Sequence, residues 1–331
     1  MSENLVVFAG LDANGETGLW VTDGTVAGTT EVTVPTGAGG LSPSNFASLS
    51  DAVLFEGVDA AGKAGLWTTD GTSSGTHEIT VNGAGPSGLI PTDLVSFNGH
   101  VIFDGAGPSG TLGLWQTDGT SSGTTEITVN GASASGLVPE GLQQLGSALL
   151  FSGYDTAGDN GLWKTNGTTA GTAELAVNGA STTGLTPTDL TPLNGKLYFN
   201  GTDQNGNLGL WVTDGTTAGT TELVSGAGTV YIGYGDNDVP YYIYGLDPNE
   251  ITPFNGKLLF DATDSNGYNN LWISDGTSAG TSELYVGLSY IYGLVPTDFH
   301  QMAARWSSPA MITPGIAGFG SRTGHRPEQP S

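Results

Sequence analysis

The chain has 331 residues and carries 32 acidic side chains against seven lysines and arginines, a formal net charge of −25 at pH 7. This charge disfavours binding to nucleic acid or to an anionic membrane surface. The chain has no cysteine, which excludes disulfides, thiolate metal sites and cysteine nucleophiles. No apolar run approaches the ~20 residues of a membrane helix, so we expect no membrane insertion.

Six near-copies of one pattern, G-L-W-x-T-D-G-T-x-x-G-T, dominate the chain. Their tryptophans are spaced by 47, 48, 48, 48 and 61 residues: Trp20, Trp67, Trp115, Trp163, Trp211 and Trp272. A fixed period in the forties is typical of propellers and solenoids. The 55 glycines and frequent turn residues predict an all-β chain. We therefore expect one domain, residues 1–299, although the length alone would suggest two.

The chain enters the pattern at Leu5–Phe8, which corresponds to the second strand of later copies, so we expect the first repeat to lack its first strand. The same segment, Met1–Phe8, lacks the basic start and long apolar stretch of a signal peptide, so any export would use another route.

Residues 188–225 show the complete unit, and Asn-Gly before the second strand is a strong hairpin signal. The predicted strands are Thr188–Leu193, Lys196–Phe199, Leu210–Thr213 and Thr221–Val224.

The second strand of each repeat is apolar on both faces, as in Val101-Ile102-Phe103. A sheet with one wet face would alternate polar and apolar residues instead. Burial on both faces favours blades stacked around an axis, with a β-solenoid as the weaker alternative. Near the other end, Leu294–Phe299 corresponds to a first strand without its followers. Its pairing with the first three strands would close a six-bladed β-propeller and remove two exposed sheet edges.

The repeat between Trp211 and Trp272 contains a tyrosine-rich insert, residues 229–244. Tyr231, Tyr234, Tyr241 and Tyr242 predict a ligand-binding surface, because tyrosine supplies rigid amphipathic contact area. The alternative is an extended hairpin whose tyrosines pack on one another.

From His300 the repeat stops and the composition changes, since all three arginines lie in residues 300–331. If each codon is started at the third base of the preceding one, the repeat pattern can be written across Gln301–Pro330. We therefore predict that 300–331 is a frameshifted, disordered tail and that the parent protein continues with further repeats.

The L-W-x-T-D-G-T-x-x-G-T pattern resembles the ELWxxDGTxxGT repeat family of bacterial secreted and surface proteins, over nearly all of residues 5–299. The chain departs from the family at the first position, which is glycine in five copies and Asn270 in the sixth. The resemblance implies a propeller-like repeat in an exported or surface protein, and it implies no established activity.

Three repeated features carry possible chemistry. The Asp-Gly turns are typical of hairpins, and the tryptophans favour packing over a sugar-stacking platform. The D-x-N-G loops place oxygen ligands at alternate positions before a glycine, as a calcium loop does. The candidate calcium ligands are Asp12, Asn14, Asp203, Asn205, Asp264 and Asn266.

We find no nucleophile triad, phosphate loop or dinucleotide fingerprint. The acids that recur once per repeat argue for structure or multivalent binding, because an active site is normally unique: Glu31, Glu78, Glu126, Glu174, Glu222 and Glu283. We predict a non-catalytic, secreted or surface binding module for glycans or cell-surface components, monomeric or part of a longer array. The alternatives are a carbohydrate-active enzyme with carboxylates at the propeller centre, and a structural spacer of a large adhesin.

Overall fold

The regular elements of the described chain are short strands joined by turns and linkers. The computed structural model describes residues 5–35, 40–225, 229–234, 240–284 and 293–300, with the backbone alone for 229–234 and 240–244. Apart from one 3-10 turn at Thr169–Gly171, the regular elements in these ranges are strands. In chain order they are β1 Val6–Leu11, β2 Thr17–Thr22, β3 Thr30–Val32, β4 Ser44–Leu49, β5 Ala52–Val58, β6 Ala64–Thr69, β7 His77–Glu78, β8 Thr92–Phe97, β9 His100–Ala106, β10 Leu112–Thr117, β11 Thr125–Glu126, β12 Glu140–Leu145, β13 Ala148–Tyr154, β14 Asn160–Thr165, β15 Ala173–Glu174, β16 Thr188–Leu193, β17 Lys196–Thr202, β18 Leu208–Thr213, β19 Thr221–Val224, β20 Thr229–Tyr234, β21 Pro240–Tyr244, β22 Asn249–Phe254, β23 Lys257–Thr263, β24 Asn269–Ser274 and β25 Ser282–Glu283.

Each repeat forms one antiparallel sheet whose strands follow chain order. The described strands make a three-stranded sheet (β1–β3), five four-stranded sheets (β4–β7, β8–β11, β12–β15, β16–β19 and β22–β25) and a two-stranded sheet (β20–β21). The predicted all-β architecture of four-stranded repeats is therefore confirmed. The sheet of the first repeat has three strands among the described residues, β1–β3.

The central hairpin of each repeat is longer than the sequence predicts. In the template repeat, β17 continues to Thr202 and β18 begins at Leu208, with Gly201 opposite Gly209. Glycine usually weakens a strand, so the sequence places the end of β17 at Phe199 and Gly209 in a loop. The pairing survives because larger side chains fill the space above the two glycines.

The first strand of each four-stranded repeat contains a β-bulge. The register between β8 and β9 shifts between Thr92 and Val95, and Asp93 has a φ of 53°. Asp and Asn tolerate this left-handed conformation better than most residues. The equivalent positive-φ positions are Asn45, Gly141, Asp189 and Glu250. At Asp93, Asp189 and Glu250 the bulge directs an acidic side chain toward the backbone of the next repeat.

Successive sheets pack face to face. In the joint between β4–β7 and β8–β11, Leu54 and Leu66 of one sheet share a core with Phe103 and Trp115 of the next. The Phe103 and Trp115 rings stack with their centroids 6.4 Å apart. Four further joints repeat this arrangement. The burial of the second strand on both faces, predicted from its apolar sequence, is confirmed.

A linker with the motif G-L-x-P ties the third strand of one repeat to the second strand of the next. The Val138 N–H donates to Leu112 O at 3.2 Å, and the Tyr154 N–H donates to Leu137 O at 2.8 Å. Gly136 has a φ of 110°, and a Cβ there would lie 2.7 Å from Leu112 O. Glycine is therefore required where the linker crosses the strand.

The two ends of the array are less covered than its joints. Phe8 is half-buried and Val6 is 60% exposed, whereas Phe103 is fully buried. At the other end Leu294 is 38% exposed, whereas the equivalent Leu137 is 3% exposed. In the described ranges no strand pairs with the free edge of β1. Ring closure by 294–299 therefore stays a prediction.

The insert forms a two-stranded hairpin in which Tyr231 lies opposite Tyr242. The extended-hairpin interpretation is thus confirmed for the backbone, and ligand binding by this hairpin stays a prediction. The predicted frameshifted tail lies, from residue 301 onward, outside the described residues. Across the described ranges, no helix is long and apolar enough to span a membrane.

Candidate functional site

The Asp-Gly-Thr turn is a closed hydrogen-bond network, well defined in the β8–β11 repeat. Asp118 Oδ1 accepts from the Thr120 N–H at 2.9 Å and from Thr120 Oγ1 at 2.7 Å. Thr120 Oγ1 accepts from the Gly123 N–H at 3.0 Å. Thr124 Oγ1 donates to Thr120 O at 2.7 Å and lies 2.6 Å from Thr117 Oγ1. The whole T-D-G-T-x-x-G-T string is thereby accounted for as one turn.

The same turn recurs in the other repeats and leaves its acid stabilised as a carboxylate. Hydrogen bonds from the following threonine lower the pKa of each of these exposed aspartates: Asp23, Asp70, Asp118, Asp214 and Asp275. In the fourth repeat Asn166 Oδ1 makes the equivalent bonds to Thr168, so the turn does not require a charge. The structural interpretation of the Asp-Gly turns is confirmed.

The D-x-N-G loops bring each predicted Asp–Asn pair together. Asp203 Oδ1 accepts from the backbone N–H groups of Asn205 and Asn207 at 2.8 Å, and the Asn205 amide Nδ2 donates to Asp203 Oδ2 at 3.1 Å. Asp12 binds Asn14 in the same way. The pair Asp264 and Asn266 repeats the arrangement.

These loops form the same turn with and without the asparagine. Asp59 Oδ1 accepts from the N–H groups of Ala61 and Lys63, both at 2.8 Å, although no Asn is present. The backbone N–H bonds therefore explain the aspartate, and the asparagine amide is an additional donor to it. Over the described residues no group of three or more His, Asp or Glu side chains is gathered as a metal site. Calcium binding by the loops stays a prediction.

The repeated tryptophan is a packing residue. Trp115 is 2% exposed, and its Nε1 donates to Gly105 O at 3.0 Å. Trp163 and Trp211 make the same bond to Gly153 and Gly201. Since these rings offer no free face, the sugar-platform alternative is wrong for the interior repeats.

The glycine pair of the central hairpin makes room for the tryptophan and for a glutamate. Gly105 lies opposite Gly113, and Trp115 lies opposite Glu126. A Cβ at Gly105 would lie 2.9 Å from the Trp115 ring, and one at Gly113 would lie 2.6 Å from Glu126 Oε1. Gly113 lies at the position where the chain departs from the family pattern, and its missing side chain leaves the space that the Glu126 carboxylate occupies.

Clefts adjoin four of these glutamates in the described part of the chain. Their volumes are about 190 Å³ at Glu31, 310 Å³ at Glu126, 230 Å³ at Glu174 and 410 Å³ at Glu222. The cleft at Glu126 lies between the end of the third strand, the fourth strand and the linker, and is also lined by Thr128 and Ser133. At Glu31, Glu126 and Glu174 the glutamate and the linker together thus define a recurring recess. The cleft at Glu222 is lined instead by the D-x-N-G loop, with Asp203 and Asn205.

Burial and neighbouring acids raise the pKa of five of the recurring glutamates. Burial, followed by repulsion from Asp203, raises the pKa of Glu222 to about 7. Burial is the first cause of the raised pKa at the equivalent residues: Glu78, Glu126, Glu174 and Glu283. A carboxyl group with a pKa near 7, as at Glu222, serves as hydrogen-bond donor when protonated and as acceptor when ionised, which suits recognition of hydroxyl groups.

The acids of the first strands are not free for chemistry. Asp93 Oδ2 accepts from the Leu142 N–H at 2.8 Å, and Asp189 Oδ2 accepts from the Glu250 N–H at 2.8 Å. Glu250 Oε2 in turn accepts from the Asp298 N–H at 2.5 Å. Each bond joins one repeat to the next. Sequence reasoning missed this role, although the acid recurs two positions after the linker proline.

No family model and no curated protein match the chain. Among solved structures, a mutant of puromycin hydrolase complexed with PGG is 16% identical with a TM-score of 0.49, over 85% of this chain and 45% of that one. A puromycin-hydrolyzing peptidase from Mycobacterium tuberculosis is 14% identical with a TM-score of 0.49, over 87% and 43%. TolB from Acinetobacter baumannii is 14% identical with a TM-score of 0.36, over 80% and 61%. The chain thus spans less than half the length of the first two proteins, and likenesses at this level assign neither family nor activity.

Proposed function

We propose that this chain is a non-catalytic binding and display module that holds glycans weakly at several equivalent clefts. The observation that carries the proposal is the recurrence of one recess, lined by a glutamate and the linker, beside Glu31, Glu126 and Glu174. A repeated recess suits repeated ligands, whereas catalysis normally needs one site.

The lining of the clefts favours a hydroxyl-rich ligand. The recess at Glu126 combines a carboxylate with the hydroxyl groups of Thr128 and Ser133. Carboxylates form strong hydrogen bonds with the O–H groups of a sugar. The net charge of −25 repels anionic ligands. Neutral glycans, or glycans with free amino groups, are therefore the expected class.

Linkage of weak sites supplies the affinity. Effective concentrations in the millimolar range raise avidity by roughly 10²–10⁴ over a single site. A polymeric glycan with a repeating epitope would gain this advantage, and a monosaccharide would not. The export and surface location implied by the resemblance to the ELWxxDGTxxGT repeat family belong to the same proposal.

Two further predictions extend the binding surface. Calcium at the D-x-N-G loops, with Asp203 and Asn205 as ligands, would neutralise charge beside the Glu222 cleft. The tyrosines of β20–β21, including Tyr231 and Tyr242, would add an aromatic contact area beside the array. Calcium-dependent binding would support the first of these two parts of the proposal.

We also propose that the six repeats close into a propeller. Residues 293–298 approach the last sheet as every linker does: the Val295 N–H donates to Asn269 O at 2.9 Å. In complete repeats the first and second strands pair as Thr92 with Asp104. By that register Thr297 would lie opposite Ala9 on the free edge of β1. A T297C/A9C variant of this cysteine-free chain should form a disulfide within one monomer, and failure to do so would contradict closure.

The binding proposal is tested by a glycan array probed with the full chain in calcium and again in chelator. Calcium-dependent signals would support both the clefts and the loop sites, and chelator-insensitive signals would support the clefts alone. A blank array in both conditions would overturn the proposal in favour of a structural spacer. Turnover of a bound polysaccharide would overturn its non-catalytic part.

A further inference from the structure

Asp104 is a buried carboxyl group at the joint between two repeats. It is 5% exposed and lies opposite Leu114, which is fully buried. Side chains alternate along a strand, so Asp104 shares a face of β9 with Ile102. Ile102 and Leu114 belong to the core shared with Leu149 of the next repeat. Asp104 therefore faces the seam between the β8–β11 and β12–β15 sheets.

The carboxyl group has too few partners to be a stable anion there. Asp104 Oδ2 accepts from Thr92 Oγ1 at 3.3 Å, while Oδ1 is buried and has no hydrogen-bond partner. The charged groups that act on it are Asp93 on β8 and Glu140 on β12, both acidic. A buried charge without a counter-charge is strongly unfavourable. Burial, followed by these repulsions, raises the pKa of Asp104 to about 7.

The equivalent position in other repeats is neutral or better satisfied. Glu56 accepts from Ser44 Oγ at 2.9 Å and from Asn45 Nδ2 at 2.8 Å. The next two repeats carry Ser152 and Asn200 at this position. Asp104 thus combines a titratable group with the weakest set of donors in its series.

We propose that Asp104 is a proton-operated latch of the joint between the third and fourth repeats. Neutral Asp104 lets the two sheets pack with the Thr92 bond intact. Ionised Asp104 must draw water into the seam, which loosens β9 from β12 and β13. The latch would stiffen the array in acidic surroundings and relax it above neutral pH. It goes beyond the proposed binding function, since it requires no ligand.

The test compares the full-length wild type with D104N and D104S by hydrogen exchange and mass spectrometry at pH 5.5 and pH 8.0, corrected for intrinsic exchange rates. The two replacements are the residues that the fifth and fourth repeats carry at this position, so the fold accommodates them. In the wild type, protection of residues 100–106 and 140–149 should fall at least tenfold at pH 8.0. In both variants it should change less than twofold.

The joint that contains Asn200 is the internal control, and residues 196–202 should keep their protection at both pH values in all three proteins. An equal loss of protection at the Asp104 joint in wild type and variants would overturn the latch. So would a wild type whose protection does not change with pH, whatever the variants do.

Discussion

Two sets of acidic side chains recur along the repeats, and their surroundings shift their pKa values in opposite directions. The turn aspartates are exposed, receive hydrogen bonds from a neighbouring threonine and have lowered pKa values, as at Asp118. The glutamates opposite the tryptophans lack such donors, and burial raises the pKa of Glu126, Glu174 and Glu222. Recurrence alone therefore does not distinguish a structural acid from an accessible one. The hydrogen-bond donors around the carboxylate do.

The largest expected effect is on the pH dependence of stability. The raised pKa of Asp104, about 7 against an ordinary 3.8, means that the folded chain binds the proton more tightly than the unfolded chain. Its contribution is full below pH ~4 and is lost as the pH rises toward 7, by about 2–4 kcal/mol. The raised glutamates act in the same direction. Denaturant unfolding from pH 4 to pH 8 should show the free energy of unfolding falling with pH, most steeply between about pH 5 and pH 6 and levelling off above pH ~7.

The turn aspartates lower the free energy of unfolding at acidic pH. Their lowered pKa values stabilise the fold above the unfolded-state value, and that contribution is lost as the pH falls below 4. The two sets together predict a stability maximum near pH ~4–5. A maximum at neutral pH or above would contradict the comparison.

Next in size is the removal of a turn carboxylate. Asp118→Ala deletes the acceptor of two hydrogen bonds from Thr120 and should lower the free energy of unfolding by about 1–2 kcal/mol. Asp118→Asn is the matched control, because Asn166 makes the same bonds in the fourth repeat, and it should cost under about 0.5 kcal/mol. Equal losses in the two variants would show that charge, and not the turn geometry, is what matters.

A smaller effect is expected where a glycine seats the glutamate. A Cβ at Gly209 would contact the Glu222 carboxylate and lie 2.8 Å from Val224 O. Gly209→Ala should therefore lower the free energy of unfolding by about 1 kcal/mol. Gly113→Ala meets mainly the flexible end of Glu126 and should cost less. Thermal unfolding of the two variants measures the difference in stability. A larger loss for Gly113→Ala than for Gly209→Ala would contradict the placement of the two glutamates.

The smallest effect on stability is expected when a cleft glutamate is replaced. Glu126→Gln should change the free energy of unfolding by under about 0.5 kcal/mol, because the side chain is exposed and its fold role is slight. Asp51→Asn, in an exposed turn away from the clefts, is the control for the loss of one charge. Glycan binding should weaken in the first variant and stay unchanged in the second.

The sequence predicts the fold well because the signals are local. The Asn-Gly turn before Lys196 and the apolar run after it place the first two template strands within a few residues of their observed ends. The Asp-Gly-Thr string likewise encodes a turn that closes within eight residues. Both features depend only on neighbours along the chain.

The cleft and the latch escaped prediction because each depends on contacts between repeats. The recess at Glu126 has the linker as one wall, and that linker is held by Leu112 and Tyr154 across two sheets. Asp104 looks like any polar residue of a strand until the next repeat buries it. The glycine pair, taken from sequence as loop residues, is a strand pair whose missing side chains shelter Trp115 and Glu126.

The central claim is that several equivalent clefts bind one kind of ligand. Isothermal titration of the full chain with the strongest glycan from the array gives the number of sites per chain. We expect more than one site, with the number falling stepwise as E31Q, E126Q and E174Q are combined. A single site, or a stoichiometry that these substitutions leave unchanged, would contradict it.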